Sequence, residues 1–412
     1  MWNTVFESAI MVGASTMEER IENSTINFRA EGARRWIDRG LGYLDDDSYD
    51  AALHAFSKAY EIDPDSPDAI LNLAQELYMQ GRFEESEKMV RRGLKIKPGV
   101  EMYRILAAIL LEDGNRVEEI SSIVKNVRET CGDKHSADLL EAHYQLEKNN
   151  LEKSIYLFQS VLDSEPENEE ALEGVARALN LLGIDKSEAG FHSEAVFLFK
   201  KALRLDPRWS APHVNLGNCY SSLGKIESAI NAYLDGIELE PDNPQAHFNL
   251  ARILVEQNRF DEAESELIDV LEIDPHYPDA HAELGQIQNY RGKFLSAIDH
   301  FQKELDLNPE SVPCLCNMAI ACICCGKASD GEEMLKRALK IKEDPFTLYT
   351  LAGLYASLQR DTDSLSMLER AARYKPSWLP EYLRADEKFD RFKTNPRFVE
   401  MLSCLADSSP VS

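Results

Sequence analysis

The sequence predicts an all-α solenoid made of a repeated pair of helices. The first observation is a recurring four-residue ending that closes on Pro64, Pro98, Pro166, Pro207, Pro241, Pro275 and Pro309. From Pro207 to Pro309 successive prolines lie 34 residues apart, and a fixed period of this length is the signature of a repeat array. Laid out in this period, the chain divides into ten units that begin near Ala33, Pro67, Glu101, His135, Glu169, Ser210, Pro244, Pro278, Val312 and Pro345.

The second observation is that fixed places within the unit keep fixed sizes. The eighth place is Gly or Ala in all ten units, and the twentieth place is small in nine of them. The twenty-fourth place is apolar throughout, and other apolar residues mostly fall at helical spacing around the eighth place. The pattern predicts two antiparallel helices per unit that approach closely at the small residues, while the larger side chain fills the gap to the next unit.

Turn residues separate the predicted helices. A Gly or Asn, as a helix C-terminus prefers, lies between the two helices at Gly81, Asn149, Gly224, Asn258, Gly292 and Gly326. The proline at the end of a unit stops the second helix. A further proline often opens the next unit, where its missing N–H costs nothing, at Pro67, Pro244, Pro278 and Pro345.

The first unit carries a family resemblance. Its residues Trp36, Gly40, Tyr43, Ala52, Phe56 and Pro64 match the signature of the tetratricopeptide repeat, and only Arg39 stands where Leu is usual. The chain therefore resembles this family over residues 33–376. The resemblance implies a right-handed α-α superhelical solenoid of helix pairs, with a concave groove lined by the first helix of each unit. It implies no single partner, because such repeats serve unrelated ones.

Two repeats, one junction and both ends of the chain depart from the pattern. The ninth and tenth units join without a proline and one residue short. The third unit ends in Cys131-Gly132-Asp133 without its proline and carries Ile120 at a small place, which predicts looser or shifted packing. The fifth unit has about seven extra residues at 183–190, roughly two helical turns, which allows both of its helices to lengthen without changing face. Residues 1–32 are expected to form a partly mobile segment with one short helix. Residues 377–412 are expected to form a capping helix and a short disordered tail.

The charge balance constrains the partners. The 412-residue chain has 72 acidic and 45 basic residues, a net charge of −27, which repels nucleic-acid phosphates and anionic lipid headgroups. We therefore expect a protein or peptide partner, without nucleic acid or membrane. The acidity would favour a basic partner, but solubility is the preferred explanation.

Other sequence features predict a cytoplasmic chain. It contains no run of 18 apolar residues, and the apolar start of the chain lacks a basic region and contains Glu7, so neither a membrane span nor a secretory signal is expected. The eight cysteines form no disulfide framework, which favours a reducing compartment.

No pattern points to catalysis, a metal or a cofactor. The cluster Cys314, Cys316, Cys322, Cys324 and Cys325 lies on one predicted helix and extends too far for one tetrahedral metal, so packing is the favoured interpretation. His213, His247 and His281 share the fourth place of three successive units. Because neighbouring helices stand roughly 10 Å apart, these histidines are predicted to form ordinary hydrogen bonds rather than to share a ligand.

The candidate binding residues follow from the resemblance, which implies that the sixth and ninth places of the first helices meet the ligand. Asparagine, which both donates and accepts, recurs at these places as Asn72, Asn215, Asn218, Asn249 and Asn317. Asparagine is also common in such repeats without a ligand, so the role stays a hypothesis. Asp279 and Glu283 extend this stretch and would attract a basic partner. Some members of the family hold a C-terminal carboxylate with Lys and Arg residues of adjacent units. At the places of those basic residues this chain has Asp279, Glu283, Met102 and Leu106, so recognition of acidic tails is not expected.

These observations predict a non-enzymatic protein-interaction scaffold that binds a peptide or protein segment in the concave groove. The alternatives are a chaperone or adaptor for a basic client, and a regulatory or substrate-recruiting subunit of an enzyme on another chain. The identity of the partner and the oligomeric state stay open.

Overall fold

The computed structural model describes residues 28–114 and 116–406, and all regular structure in these two ranges is helical. This confirms the predicted fold class as an all-α solenoid of helix pairs. The chain divides into two compact units, Met1–Pro207 and Arg208–Ser412, which we call unit 1 and unit 2. None of the described helices combines the length and apolar character needed to cross a bilayer.

Unit 1 contains the first five repeats. Its first helix, α1, covers residues 28–45 of the described chain. The following helices are α2 (Tyr49–Ile62), α3 (Pro67–Met79), α4 (Phe83–Ile96), α5 (Val100–Asp113), α6 (Glu119–Asn126), α7 (Lys134–Glu147), α8 (Leu151–Leu162), α9 (Glu169–Glu188) and α10 (His192–Leu205). Odd-numbered helices are the first helices of the repeats, and even-numbered helices are the second.

Unit 2 contains the last five repeats and a C-terminal segment. The repeat helices are α11 (Ser210–Ser222), α12 (Ile226–Leu239), α13 (Pro244–Glu256), α14 (Phe260–Ile273), α15 (Ala280–Tyr290), α16 (Phe294–Leu307), α17 (Val312–Cys324), α18 (Ala328–Ile341), α19 (Pro345–Ser357) and α20 (Asp361–Ala372). The C-terminal segment contains α21 (Leu379–Ala385), a 3₁₀ helix (Glu387–Phe392) and α22 (Pro396–Ala406).

The small residues hold the two helices of a repeat together. A Cβ added at Gly217 would lie 2.5 Å from the ring of Tyr233, and one added at Gly40 would lie 2.3 Å from that of Phe56. The aromatic ring at the twenty-fourth place thus occupies the space that glycine leaves at the eighth. Any larger residue at the eighth place would displace that ring.

Serine at the twentieth place is small enough to fit the contact between the two helices, as alanine is. The hydroxyls of Ser86, Ser154 and Ser364 donate to the backbone carbonyls of Ala74, Ala142 and Ala352, at 2.6, 2.9 and 2.8 Å. Each acceptor is the eighth-place residue of the same repeat. The buried hydroxyl is therefore hydrogen-bonded across the contact that it helps to form.

The departures from the pattern have structural counterparts. In the third repeat α6 has only 8 residues and continues as a π-helical turn, Val127–Cys131, which fits the expected shift in packing. In the fifth repeat α9 has 20 residues, whereas α10 keeps the ordinary 14. The insertion therefore lengthens the first helix alone, because its residues continue the helical pattern of α9 up to the turn at Gly190.

The segment after the last repeat differs from the single capping helix that the sequence predicts. Three short helical segments, rather than one capping helix, follow the last repeat, because Pro380 opens α21 and Asn395-Pro396 starts a new helix. Phe389, Phe392 and Phe398 of this segment are buried in one cluster with Leu368 of α20. The predicted N-terminal helix before residue 28 and the tail after residue 406 lie outside the described residues.

Candidate partner-binding groove

The predicted binding residues of unit 2 lie on one series of first helices. Successive helices α11, α13, α15, α17 and α19 contact one another. Their sixth and ninth places form a surface that we call the first-helix wall of unit 2. Asn215 and Asn218 lie on α11, Asn249 on α13, Glu283 on α15 and Asn317 on α17.

Two of the asparagines are hydrogen-bonded to each other across adjacent repeats. Asn249 Nδ2 donates to Asn218 Oδ1 at 3.0 Å, and the hydroxyl of Tyr233 donates to the same oxygen at 2.7 Å. Gln245 Nε2 in turn donates to Asn249 Oδ1 at 2.9 Å. Because both acceptor positions of Asn218 Oδ1 are taken, the exposed Asn218 presents its Nδ2 amide as a donor.

Two further predicted amides have different surroundings. Asn317 is half-buried, and its backbone carbonyl accepts from Asn289 Nδ2 at 3.3 Å. Asn72 lies in unit 1, where its Nδ2 donates to the backbone carbonyl of Asp68 at 2.8 Å, within its own helix. Among the predicted asparagines, Asn218 and Asn249 are joined by a direct hydrogen bond, and Asn215 precedes Asn218 on the same helix, α11.

Acidic side chains continue the first-helix wall beyond the amides. Burial raises the pKa of Glu283, the nearby guanidinium of Arg252 lowers it, and the carboxylates of Asp279 and Glu256 raise it again. Asp279 is exposed just before α15, in a left-handed conformation with φ of 62°. Its backbone N–H donates to Glu304 Oε1 at 3.4 Å. Glu283 thus lies near one guanidinium and two other carboxylates, and this part of the wall is net negative.

An aromatic pocket follows the acidic stretch, and sequence reasoning missed it. The cavity has a volume of about 340 Å³ and is lined by Ile320, Ile323, Cys324, Phe346, Tyr349, Thr350, Gly353, Leu354, Ser357, Tyr382, Asp386 and Lys388. Phe346 and Tyr382 are 42% and 49% exposed, which is unusual for large rings beside a cavity. We call this cavity the aromatic pocket.

The aromatic pocket is ordered by the segment after the repeats. The Tyr349 hydroxyl of α19 donates to Asp386 at 2.8 Å, and Trp378 packs edge-on against Tyr349 and Tyr382 at 5.7 and 5.3 Å between ring centroids. The only sequence signal was the spacing of Phe346, Tyr349 and Gly353 on one face of α19. The pocket forms only when the C-terminal segment packs against this face of α19.

The corresponding wall of unit 1 is different. Leu106 and Leu140 hold the sixth place in the third and fourth repeats, and both are buried. Arg104 Nη2 of the third repeat donates to Glu170 Oε2 of the fifth at 2.6 Å, and His143 Nε2 of the fourth donates to Glu170 Oε1 at 3.1 Å. These three side chains bridge α5, α7 and α9. Hydrogen bonding by His143 and the charge of Arg104 lower the pKa of Glu170 against the effect of its burial.

The cysteine cluster packs as predicted. Cys314, Cys316 and Cys322 are buried, and burial raises the pKa of all three thiols, that of Cys314 to about 12. Cys314 Sγ donates to the backbone carbonyl of Phe301 at 3.4 Å, and Cys316 Sγ lies 3.1 Å from the Thr347 hydroxyl. Protonated, buried thiols of this kind are packing groups rather than nucleophiles or ligands.

The histidine row also forms local contacts. Each histidine faces the second helix of its own repeat. His213 lies 3.8 Å from Asp235, His247 lies 2.7 Å from Glu266, and His281 lies 3.5 Å from His300. Burial lowers the pKa of both His281 and His300.

Comparison with known proteins agrees with this architecture. A family model described as "Tetratricopeptide repeat" matches residues 43–110 and 231–287, and a second model with the same description matches residues 212–243. The human protein "Antiviral innate immune response effector IFIT1" is 21% identical over 208 residues, which cover 44% of this chain and 43% of that protein. The chain thus spans less than half the length of this relative.

Two solved structures are similar at low identity. PilF of Pseudomonas aeruginosa is 19% identical, covers 53% of this chain and is itself 96% covered, with a TM-score of 0.45. Tom70 of yeast is 16% identical, covers 92% of this chain and is 99% covered, with a TM-score of 0.39.

Proposed function

Because this chain is a tetratricopeptide-repeat protein, we propose that it is a non-enzymatic scaffold that binds an extended segment of another protein on the first-helix wall of unit 2. One observation carries the proposal: three kinds of recognition group follow one another along that wall. Hydrogen-bonding amides occur on α11 and α13, carboxylates beside α15, and the aromatic pocket beside α19.

Each of the three parts recognises a different feature of a peptide. The Nδ2 amide of Asn218 donates to a backbone carbonyl and therefore places little demand on sequence. Glu283, Asp279 and Glu256 favour a basic side chain, with Arg252 limiting the excess of negative charge. The aromatic pocket accepts a large apolar side chain, since it is lined mainly by aliphatic and aromatic groups. The net specificity is for a segment with a positive charge and an apolar anchor.

The order of these parts sets their spacing in the partner. Neighbouring first helices pack about 8–10 Å apart, so two repeats separate Glu283 from the aromatic pocket by roughly 20 Å. An extended chain covers about 3.3 Å per residue, so that distance corresponds to about six residues. The basic residue of the partner is therefore expected about six positions from its apolar anchor.

A display library of random peptides tests the proposal without a known partner. Peptides of about twelve residues are long enough to reach both parts of the wall. Selection on the full chain is expected to enrich sequences with a basic residue and a large apolar residue about six positions apart. Enrichment of peptides without such a pair would overturn the proposed specificity.

Variants of the wall locate the binding site. Asn215→Ala with Asn249→Ala is expected to weaken the binding of the selected peptides by roughly 1–3 kcal/mol, or about 5- to 150-fold in Kd, because it removes two amides of the wall and the hydrogen bond from Asn249 that orients Asn218. Phe346→Ala should weaken them through the apolar anchor. Asn72→Ala and the exposed Phe197→Ala are matched controls away from this wall and should leave Kd unchanged. Equal binding by the double variant and the wild type excludes the first-helix wall as the site.

Salt dependence tests the acidic part separately. Charge reversal at Asp279 and Glu283 should weaken basic peptides and flatten the dependence of Kd on ionic strength, since screening acts only on the charge term. A salt dependence that is unchanged in this variant would leave solubility as the explanation of the acidity.

A further inference from the structure

A histidine and two carboxylates converge between the two helices of the seventh repeat. His247 lies on α13, and Glu266 and Asp269 lie one helical turn apart on α14. One donor atom from each of the three, the imidazole nitrogen and two carboxylate oxygens, lies within 4.8 Å of the other two. His247 is only 7% exposed, whereas Glu266 and Asp269 are half-buried. The cluster is on the opposite side of α13 from Asn249, so it does not belong to the first-helix wall.

The tautomer of His247 is fixed by a group outside the cluster. Its Nε2 lies 3.0 Å from the backbone carbonyl of Pro241, which can only accept a hydrogen bond. Nε2 therefore carries a proton, and the lone pair of the neutral ring is on Nδ1. Nδ1 lies 2.7 Å from Glu266 Oε2. At this distance a proton is shared between Nδ1 and the carboxyl oxygen. A metal ion can replace that proton if the two atoms move slightly apart.

We propose that His247, Glu266 and Asp269 bind a divalent transition metal, with Zn²⁺ as the best fit. One imidazole nitrogen and two carboxylate oxygens form a ligand set that suits zinc, and three protein ligands leave one tetrahedral position for water. A ligating histidine ordinarily donates its other N–H to a carbonyl or carboxylate, as His247 does to Pro241. The two carboxylates and the neutral ring together carry a charge of about −2, which the ion neutralises.

Neighbouring repeats show why only the seventh has this site. The sixth repeat pairs His213 with Asp235 at 3.8 Å, and Ala232 stands where the second carboxylate would be. The eighth repeat places His300 opposite His281 and adds Lys303, which repels a cation. Among the three repeats that carry histidine at the fourth place, the three donors therefore coincide only in the seventh.

The site would act as a cross-link between α13 and α14. Binding moves the Nδ1 proton of the imidazolium to solvent and puts the metal in its place, so one proton leaves for each ion that binds. The ion then ties the two helices of the repeat through three side chains. The expected consequence is a higher melting temperature of the protein when zinc is present.

Zinc titration of the full chain tests the site. Iodoacetamide is first used to block the exposed thiols of Cys324 and Cys404, because these would also bind zinc. Competition with a chromophoric zinc chelator should then detect one tight equivalent in the wild type. His247→Gln, Glu266→Gln and Asp269→Asn should each weaken it at least about tenfold. His213→Gln, at the same place of the preceding repeat, is the control and should retain it.

The variant Asp269→Asn distinguishes a metal site from a simple ion pair between His247 and Glu266. An ion pair of imidazolium and carboxylate needs only His247 and Glu266, whereas the metal also needs Asp269. If Asp269→Asn binds zinc as the wild type does, or if wild type and His247→Gln bind it equally, the proposed site is overturned. Circular dichroism of each variant confirms that a loss of zinc binding is not a loss of fold.

Discussion

The first-helix walls of the two units use the same repeat for different purposes. In the third to fifth repeats of unit 1 internal contacts occupy the wall, because Leu106 and Leu140 are buried and Arg104 reaches over the fourth repeat to Glu170. In unit 2 the sixth and ninth places carry amides and a carboxylate, and Asn249 reaches only to the adjacent repeat at Asn218. We expect a bridge across two repeats to obstruct an extended peptide on that part of the wall.

The difference lies in the side chains of the first helices rather than in the helix pairs. Both units keep the close contact of glycine with an aromatic ring, as at Gly40 with Phe56 and Gly217 with Tyr233. The scaffold is thus common to both units, while the side chains of the first helices decide whether a wall packs on itself or stays available. Function in such an array can be confined to part of it without any change of fold.

The largest expected effect comes from overpacking one unit at a time. Gly217→Leu pushes on Tyr233 and Gly40→Leu on Phe56, and each should destabilise its own unit by about 1–3 kcal/mol or more. Both lower the midpoint of urea unfolding, but only Gly217→Leu should also reduce peptide binding. Gly42→Ala, where an added Cβ meets nothing within 4 Å, is the neutral control. Equal loss of binding in the two leucine variants would contradict the assignment of function to unit 2.

A smaller effect is expected from the hydroxyl that orients the amide network. Tyr233→Phe removes the donor to Asn218 Oδ1 and should cost about 1 kcal/mol of stability, together with a several-fold rise in peptide Kd. Tyr355→Phe removes a similar hydrogen bond, to Glu332 at 3.0 Å, at a place outside the amide network. Calorimetric titration of both variants should show weaker binding for Tyr233→Phe alone. Unchanged binding there would mean that the orientation of Asn218 is unimportant.

The smallest expected effect concerns the bridge in unit 1. The pKa of Glu170 is lowered in the folded protein, so its ionised form stabilises unit 1 at pH values above the unfolded pKa, and this contribution is lost as the pH falls through the folded pKa. The side chains of Glu170 and Arg104 are 34% and 39% exposed, so the contribution should stay below about 1 kcal/mol.

Denaturation at several pH values measures this contribution. The unfolding midpoint of Glu170→Gln should lie below that of the wild type near neutral pH, and the two should converge as the pH falls through the lowered pKa of Glu170 in the folded protein. The exposed neighbour Glu169→Gln should follow the wild type throughout. A difference that persists at low pH would show that the bridge acts through packing rather than charge.

The repeat architecture could be predicted from the sequence because its determinants are local. A small residue at the eighth place and an apolar one at the twenty-fourth, such as Gly217 and Tyr233, recur in every copy, so ten copies average out individual exceptions at other places. The lengthened α9 was not predictable in detail, since seven residues could be divided between two helices or added to one. Which helix extends depends on where the turn forms, at Gly190.

The candidate site was predictable only in part. The shared wall of Asn218 and Asn249 followed from their places in the repeat, but their hydrogen bond did not, because it depends on side-chain rotamers. The aromatic pocket needs the C-terminal segment to fold against α19, and the Arg104–Glu170 bridge joins residues 66 positions apart. The carboxylate partners of His247 could not be predicted for another reason. In so acidic a chain, carboxylates are expected near any histidine, so their presence in the sequence does not indicate a site.

The serine hydroxyls at the twentieth place have a consequence for how such arrays diversify. Ser86, Ser154 and Ser364 add a polar group to a buried contact, yet each hydroxyl bonds to a carbonyl that is already present in the facing helix. Serine and alanine therefore fit the same space without a change in helix separation or an unpaired donor. Arrays grow by duplication of copies, and single-base changes interconvert the codons of these two residues. Exchanges between serine and alanine at the twentieth place can therefore accumulate with little effect on packing. The exposed places of the first helices remain available for selection.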